Sequence, residues 1–378
     1  MALIPFNRAR PLGREFEYIQ TAIDNMHLAG DGPFTKRCSE LLERALGSPR
    51  VLLTTSCTHA LELAAMLIGI QPGDEVIVPS FTFVSTASAF HLRGARITFA
   101  DIRSDTLNLD ERLVERLITP RTRAIVPVHY GGVACEMDAL ADIAARHSLS
   151  IVEDNAHGLF GRYRGRALGT FGRLGVQSFH ETKNYTSGEG GALVINDPSL
   201  VERAEIIREK GTNRSRFFRG QVDKYTWVDE GSSYLPSEIL AAFLFAQLEQ
   251  REAVQARRKE LWDHYRAELH DWSSMNRVQL PLVPAHCDQA YHLFYLAMPS
   301  LDLRQRMLAH LKERNVSAVF HYVPLHLSAM GRQLGGVEGM CPVTEDFSDR
   351  LLRLPFHNTL SDEEQARVID AVKSFKWN

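Results

Sequence analysis

The most regular feature of the chain is a series of short apolar runs separated by amphipathic stretches. Most runs are continuously apolar rather than alternating, which is typical of strands buried on both faces of a largely parallel sheet. Between several runs, apolar residues share one helical face, as Leu61 and Ile68 do in one segment and Leu140 and Ile143 in another. This strand–helix alternation over residues 50–200 predicts a layered α/β domain. The seven predicted strands are Val51–Thr54, Glu75–Pro79, Arg96–Ala100, Ala124–Val128, Ser150–Glu153, Gly175–Phe179 and Ala192–Ile195.

The C-terminal third has a different pattern. Residues Ser237 to Glu268 are rich in Ala, Leu, Glu, Gln and Arg and contain no Gly or Pro, which predicts one long helix or a kinked pair. Further strands are predicted within 290–299 and 317–326, and further helices at 304–316 and 362–375. A chain of 378 residues is long for a single core. We therefore predict a large α/β domain at 1–250 and a smaller C-terminal α/β domain at 251–378.

Composition and charge exclude several classes of protein. With 44% hydrophobic and 24% charged residues the chain has an ordinary globular composition, and its net charge of −3 gives no support for a nucleic-acid partner. No apolar run approaches the roughly 20 residues that span a bilayer, and the N-terminal segment lacks a secretory pattern. The five cysteines are scattered without a CxxC pair, which favours reduced thiols. We expect a cytoplasmic protein with no membrane segment.

Two predicted strands end in residues that suit an anion and a cation. In open α/β sheets, ligands bind at the carboxyl ends of the strands. Small hydroxyl residues follow the first strand and lead into a helix that starts near Cys57, which suits a phosphate, although plain helix capping explains the same residues. Asp154 follows the fifth strand, where a buried carboxylate needs a cationic partner; a salt bridge or a helix cap is the alternative.

A lysine follows the sixth strand. Lys183 stands in a polar, glycine-rich turn after Ser178, which could donate to an anion, and a solvated lysine is the ordinary alternative. A phosphate site, a buried carboxylate and a lysine are together what pyridoxal 5′-phosphate (PLP) requires. The lysine bonds to its aldehyde, the carboxylate keeps its ring nitrogen protonated and the phosphate anchors its far end. Their joint occurrence at three strand ends predicts a PLP enzyme.

Four stretches carry a family resemblance. "SFHETKN", "VEDNAH", "TSCTHAL" and "PSFTFVSTASA" resemble the DegT-type nucleotide-sugar aminotransferases, and the resemblance extends from "IPFNRARPLG" to "RLLRLPFHNTLS". It implies the three-layer fold of aspartate aminotransferase (fold type I), with a mostly parallel seven-stranded sheet. It also implies PLP that cycles with pyridoxamine 5′-phosphate (PMP), and a homodimer with shared active sites.

Two further stretches, "EIIREKGTNRSRFFRGQVDKYTW" and "VFHYVPLH", resemble a narrower branch. That branch transfers the amino group of L-glutamate to C4 of dTDP-4-dehydro-6-deoxy-D-glucose. Its products are dTDP-4-amino-4,6-dideoxy-D-galactose and 2-oxoglutarate.

The resemblance also implies roles for individual residues. Lys183 is expected to bond to the cofactor and to move a proton, Asp154 to pair with the ring nitrogen, and His157 to lie near the phenolic oxygen. The other cofactor-binding residues that it implies are Ser56, Cys57 and Ser178 at the phosphate, Phe83 and Ala156 on the two faces of the ring, and Asn184 after the lysine.

Two positions depart from the family pattern. Asn155 stands where alanine is common, which predicts a polar group near the ring. Leu235 stands where many members carry an asparagine that reaches the phosphate of the second subunit, and we expect Ser232 or Ser233 to replace it.

The diphosphate of a nucleotide sugar calls for cations near the site. The loop after residue 211 offers Arg214, Arg216, Arg219 and Lys224 among aromatic residues, although a solvated surface loop fits equally well. The remaining candidate substrate-binding residues are Tyr130 after the fourth strand, with His129 beside it, and His321, Tyr322 and His326. No Cys or acidic cluster joins these histidines, so no metal site is expected.

Three alternatives to this function remain to be weighed. Sugar dehydratases of the same fold carry histidine in place of the lysine, and Lys183 argues against them. An aminotransferase that acts at C3 of the sugar stays open, because the core motifs do not distinguish it. A non-catalytic PLP-fold binding protein is disfavoured because Lys183, Asp154 and Ser178 are all present.

Overall fold

All seven predicted strands belong to one sheet in the computed structural model, which describes residues 2–377. The strands of these residues are β1 (Arg50–Thr54), β2 (Glu75–Pro79), β3 (Arg96–Ala100), β4 (Thr122–Ile125), β5 (Ser150–Asp154), β6 (Arg162–Tyr163), β7 (Arg166–Ala167), β8 (Leu174–Ser178), β9 (Gly191–Ile195), β10 (Cys287–Asp288), β11 (Tyr295–Ala297), β12 (Val319–Phe320) and β13 (Leu351–Arg353). The central sheet has the order β1-β9-β8-β5-β4-β2-β3. Strand β9 runs antiparallel to both of its neighbours and the other neighbouring pairs are parallel, so the predicted mostly parallel sheet is confirmed.

Helices cover both faces of this sheet. The α-helices are α1 (Glu15–Asp24), α2 (Pro33–Leu46), α3 (Cys57–Leu67), α4 (Ser85–His91), α5 (Glu111–Val114), α6 (Met137–His147), α7 (Val201–Arg208), α8 (Arg214–Phe218), α9 (Glu238–Glu249), α10 (Arg251–Met275), α11 (Leu301–Glu313), α12 (Ala329–Gln333), α13 (Pro342–Arg350) and α14 (Asp362–Lys373). Successive residues of β9 enter different cores, with Leu193 in the core that contains α3 and Ala192 and Val194 in the core that contains α2 and α9. A strand with both faces buried explains why the runs are continuously apolar.

The long helical segment is a kinked pair. Helix α9 ends at Glu249 and α10 begins at Arg251, with Gln250 at the junction. Helix α10 continues to Met275, beyond the predicted end at Glu268, and leads into the C-terminal part of the chain. No helix of residues 2–377 combines the length and the apolar character that crossing a bilayer requires.

The C-terminal part has its own core. Strands β11, β13 and β12 form a three-stranded antiparallel sheet, on which α10, α11 and α14 pack through residues such as Leu261, Met307 and Val368. The N-terminal segment joins this core, because Ile4 is fully buried in it and its backbone N–H donates to Asn315 O at 2.8 Å. The N-terminus thus packs with the smaller core, which the sequence pattern did not indicate.

Candidate active site

The sheet topology brings Asp154 and the lysine turn to one edge. Asp154 is the last residue of β5, and the turn with Lys183 follows β8. Strands β5 and β8 are parallel neighbours, so their carboxyl ends lie side by side. The two predicted chemical groups therefore meet where ligands bind in open α/β sheets.

Asp154 is buried and lacks a cationic partner. Thr86 Oγ1 donates to its Oδ2 at 2.7 Å, and the backbone N–H of Ala156 donates to Oδ1 at 3.2 Å. The Thr86 hydroxyl also lies 2.9 Å from that of Thr82, so a short relay in and before α4 orients the carboxylate. Within residues 2–377 no Lys, Arg or His forms an ion pair with Asp154. A desolvated carboxylate without an ion partner is suited to a cationic ligand.

Lys183 is the nearby amine. Burial lowers the pKa of Lys183 to about 8, while Cys57 and Asp154 act in the opposite direction and the charge of Arg353 adds to the decrease. Its Nζ has no hydrogen bond or ion pair with the described residues. At pH 7 about a tenth of such an amine is neutral, against fewer than about one in a thousand for an ordinary lysine. The lysine is therefore prepared to act as a nucleophile.

The start of α3 has backbone N–H groups that suit an anion. Ser56 caps the helix by accepting the His59 backbone N–H at 3.1 Å, and the N–H groups of Cys57 and Thr58 belong to the open first turn. A Cβ on Gly191 would lie 2.4 Å from the Cys57 nitrogen, so only glycine lets β9 pass this close to the turn.

Ser178 lies at the same edge of the sheet as the first turn of α3. It pairs with Gly191 across β8 and β9, and Gly191 pairs with Thr54 across β9 and β1. The three strand ends therefore place the Ser178 hydroxyl beside the first turn of α3. This grouping is the one that a phosphate requires.

Two residues are suited to flank a planar ring. Phe83 follows β2 and keeps 59% of its surface exposed, although it is next to the buried Thr82. Ala156 follows Asp154 and is partly buried. An exposed aromatic ring offers an apolar face to a flat ligand.

Four residues predicted from separate stretches form one cluster. Tyr130 Oη lies 3.0 Å from His321 Nδ1, and the rings of His157 and His321 are stacked at 6.1 Å. Tyr322 contacts both His321 and Tyr130 through its ring. Burial lowers the pKa values of His157 and His321 well below their usual value, so both imidazoles are neutral at neutral pH.

His292 completes this cluster and was missed by the sequence interpretation. Its ring stacks on His157 with 4.1 Å between ring centroids. Its Nδ1 bonds Asn184 Oδ1 at 2.9 Å, and the Asn184 amide donates to Ala290 O at 2.7 Å. The residue after Lys183 thus orients His292, which in turn packs against His157. The sequence offered no signal beyond a histidine in a segment predicted to be a strand.

Some predicted residues lie elsewhere. His326 is fully buried, with Nδ1 2.6 Å from Ser80 Oγ and Nε2 2.9 Å from Glu345 Oε1, so neither ring nitrogen is free and the arrangement does not support the predicted substrate contact. His129 is similarly buried and bonds Glu153 at 3.0 Å.

Asn155 forms its hydrogen bonds within the chain. Its amide donates to Leu168 O and Gln177 Oε1, each at 3.2 Å. A polar group near the ring at this position stays a prediction.

The three arginines among the predicted loop cations form ion pairs with acidic residues of α7 or with Glu209, the residue just after it. Arg214 bonds Glu209 at 3.0 Å, and Arg219 bonds Glu205 at 2.7 Å. Arg216 likewise bonds Glu202 at 3.1 Å, while Lys224 forms no ion pair with the described residues. Within one chain, none of these cations bonds to Asp154 or Lys183.

Ser232 and Ser233 are exposed on a neighbouring segment. The next residue, Tyr234, accepts a hydrogen bond from the Thr55 backbone N–H at 3.0 Å. Both serines therefore lie near the phosphate turn of their own chain.

This fold and site define a PLP-dependent aminotransferase of fold type I. A model of the DegT/DnrJ/EryC1/StrS aminotransferase family matches residues 12–373, and the chain belongs to that family. Members of the family cycle PLP with PMP.

Known relatives cover nearly the whole chain. The dTDP-3-amino-3,4,6-trideoxy-α-D-glucose transaminase of Streptomyces venezuelae is 36% identical over 318 residues, which is 84% of this chain and 80% of that protein. The structure of the aminotransferase TlmJ from Streptoalloteichus hindustanus superposes with a TM-score of 0.91 at 31% identity over 99% of this chain and 98% of TlmJ. Spr1654 of Streptococcus pneumoniae, solved in PLP and PMP forms, has a TM-score of 0.91 at 26% identity over 98% of both chains.

The residues present fit PLP. The buried carboxylate of Asp154 lacks only a cation such as a protonated ring nitrogen, and the turn at Ser56 with Gly191 leaves backbone N–H groups for a phosphate. When bound, PLP supplies an electron-accepting ring that carries the amino group between substrates. The chain's own residues supply the charge, the amine and the anchoring groups.

The low pKa of Lys183 predicts how cofactor loading depends on pH. In protein stripped of cofactor, the rate at which Lys183 bonds to PLP should rise with pH and level off above about pH 8, because the neutral amine is the reactive form. Stopped-flow absorbance after adding PLP measures this rate, with a free lysine derivative as the reference. A rate that keeps climbing through pH 10, as the reference does, would contradict the burial of this amine.

Proposed function

We propose that this protein transfers the amino group of L-glutamate to C4 of dTDP-4-dehydro-6-deoxy-D-glucose and forms dTDP-4-amino-4,6-dideoxy-D-galactose and 2-oxoglutarate. The observation that carries aminotransfer is the coexistence of the buried Asp154 and the desolvated Lys183, neither of which forms an ion pair with another side chain of residues 2–377. The sugar and the position rest on the RGQVDKYTW and FHYVPLH stretches. Such a product belongs to deoxysugar biosynthesis in the cytoplasm.

The proposed reaction assigns a task to each group. Lys183 would hold the cofactor through its amine until the amine of glutamate takes its place, and the freed lysine amine would then accept the proton from the Cα of the amino acid. It suits this task because it is released beside the two atoms that exchange the proton. Asp154, oriented by Thr86, keeps a positive charge on the ring nitrogen and so favours electron withdrawal.

The remaining residues position the two reactants. Ser178 and the backbone of Ser56 and Cys57 would hold the phosphate, and Phe83 would stack on the ring. His157 and His321, kept neutral by burial, offer hydrogen bonds without adding charge. Tyr130 and Tyr322 complete the wall that faces the sugar.

One relative favours a second candidate. The Streptomyces venezuelae protein is named for a 3-amino sugar, and the core motifs shared within the family do not distinguish C3 from C4. Amination of a dTDP-linked 3-keto sugar is therefore the alternative. Both candidates use the same amino donor and the same cofactor chemistry.

The product identifies the substrate. The purified protein, loaded with PLP, is incubated with L-glutamate and dTDP-4-dehydro-6-deoxy-D-glucose or with a dTDP-linked 3-keto sugar, and the amino sugar is identified by NMR. We expect amination of the 4-keto sugar with the galacto configuration. Exclusive reaction of the 3-keto sugar would replace the proposal with the second candidate, and no product from either would reject both sugars.

Lys183→Ala should abolish turnover, because the variant lacks the amine that is proposed to bond the cofactor and carry the proton. Reduction with borohydride and peptide mapping should find the cofactor on Lys183 in the native protein and on no residue of the variant. Lys259→Ala is the matched control, since Lys259 is exposed on α10, where it forms an ion pair with Asp263. Turnover that survives in Lys183→Ala would remove the proposed role.

Thr86→Val should slow aminotransfer about 10- to 100-fold, because a hydrogen bond to a charged group contributes about 1.5–3 kcal/mol. The change keeps the volume of the side chain and removes only the hydroxyl that donates to Asp154. Single-turnover reaction of the PLP form with glutamate measures the effect. Thr82→Val, which leaves the bond to Asp154 in place, should change the rate less, and equal losses in the two variants would argue against a specific role for Thr86.

We further propose that the protein is a homodimer with shared active sites. Large apolar side chains are strongly exposed on the single chain, among them Met26 at 92%, Trp227 at 78%, Phe16 at 71% and Phe218 at 69%. Exposure of this extent is typical of surfaces that another subunit covers. Sedimentation should give twice the chain mass of 42.6 kDa, and a monomer at micromolar concentration would contradict the proposal.

A further inference from the structure

Asn184, the residue after Lys183, is fixed at three points. Its side-chain amide donates to Ala290 O at 2.7 Å, and its Oδ1 lies 2.9 Å from His292 Nδ1. Its main-chain oxygen accepts a hydrogen bond from Asn358 Nδ2 at 2.9 Å. The first two contacts lead to the segment before β11, and the third leads to the loop after β13. Two segments from the C-terminal part of the chain therefore hold the lysine turn.

A single buried guanidinium joins these two segments. Arg258 lies on α10 and keeps only 3% of its surface exposed. Its Nε donates to Tyr291 O at 2.7 Å, and its Nη2 donates to His292 O at 2.6 Å. Its Nη1 donates to Asn358 Oδ1 at 2.7 Å, and its central carbon lies 4.7 Å from the centre of the Phe356 ring. All three nitrogens of the guanidinium are thus bonded to one segment or the other.

The charge of Arg258 is not neutralised by a carboxylate. Within residues 2–377 no Asp or Glu forms an ion pair with it, and its partners are two main-chain oxygens and one amide oxygen. Burying such a cation costs desolvation free energy, and apolar side chains of similar volume often replace buried ions without loss of stability. The guanidinium adds instead a planar, rigid set of donors. The fixed positions of its partners therefore explain Arg258 better than the stability of the core does.

The same guanidinium reaches a second residue of the active-site cluster. The main-chain oxygen of His292 accepts from Arg258, and its ring stacks on that of His157 with 4.1 Å between the centroids. Its Nδ1 meets Asn184 at the same time. A movement of this segment would therefore displace the lysine turn and the ring of His157 together.

We propose that Arg258 is a positioning residue that holds the amine of Lys183 where it can bond the cofactor and move a proton. It acts through Asn358 and the segment 291–292, which between them fix Asn184. This inference rests on the proposed function, in which Lys183 performs both steps. Both steps depend on the geometry of the amine, and a misplacement of about 1 Å can slow a reaction about 100-fold.

Asn358→Asp separates position from stability. The variant keeps an oxygen that accepts from Arg258 and loses the amide that donates to Asn184. Two rates should each fall about tenfold, as expected for one lost hydrogen bond: the bonding of PLP to Lys183 in protein stripped of cofactor, and the single turnover of PLP-loaded protein with L-glutamate. The unfolding temperature should stay close to that of the native protein, because the new carboxylate pairs with the guanidinium. Native rates in this variant would overturn the inference.

Arg258→Gln should slow both rates more than Asn358→Asp does, because it releases both segments. The double variant should be no slower than Arg258→Gln alone, since the two side chains act on Asn184 in series. Losses that multiply in the double variant would mean that the two residues act separately, which contradicts the proposal. Circular dichroism and thermal unfolding show whether Arg258→Gln is folded. If it is not, Arg258→Lys takes its place, because it keeps the charge but cannot bond to both segments.

Arg304→Gln is the matched control. Arg304 on α11 keeps 8% of its surface exposed, and its Nε donates to Asp349 O at 2.9 Å, within the C-terminal part of the chain. This variant should lower the unfolding temperature and leave both rates unchanged. Equal slowing in Arg304→Gln and Arg258→Gln would leave Arg258 with a structural role alone and overturn the inference.

Ligand binding distinguishes positioning from direct contact. Titration calorimetry of PLP-loaded Arg258→Gln with glutarate, an unreactive dicarboxylate, should give the native affinity. Weaker binding of glutarate at unchanged rates would make Arg258 a ligand-binding residue and would equally refute the proposal. The proposed function fails separately, if the native protein forms no amino sugar, because the bonding of PLP to Lys183 requires no sugar.

Discussion

The burial of two opposite charges without direct neutralisation is the constraint on which the rest of this site depends. Asp154 is held by the hydroxyl of Thr86 and one backbone N–H, and Lys183 has no polar partner at its amine within the described residues. Desolvation disfavours the charged form of Lys183 and lowers its pKa to about 8. The folding free energy of the packed sheet must offset the cost of desolvating these groups. A cationic, aldehyde-bearing ring satisfies both at once, which is why the site fits PLP.

The sheet fixes the site through its strand order rather than through sequence proximity. The parallel pair β5 and β8 aligns Asp154 with the lysine turn. The antiparallel strand β9 lies between β1 and β8. Gly191 therefore lies against the turn at Ser56 and pairs with Ser178 on β8. The phosphate turn and the lysine turn are far apart in sequence, and β9 is what joins them. A side chain at Gly191 would separate the two halves of the anion site.

The sequence predicted the features of the fold and the site that depend on local residue patterns. Seven buried strands read as continuous apolar runs, and residues that directly follow a strand, such as Asp154 and Ser178, must lie at the edge of the sheet. Thr86 and His292 could not be found in this way, because each reaches the site through packing between distant segments. The partners of Asn155 could not be predicted either, because the family pattern does not state which segments its amide contacts.

The pKa of Lys183 depends on burial and on the groups near its amine. Burial lowers it most, Cys57 and Asp154 raise it, and the charge of Arg353 lowers it further, so that it lies at about 8. Burial also keeps the imidazoles of His157 and His321 neutral. An amine with a pKa of about 8 can take a proton in one half of the reaction and return it in the other, which is what a reversible transfer between two substrates requires.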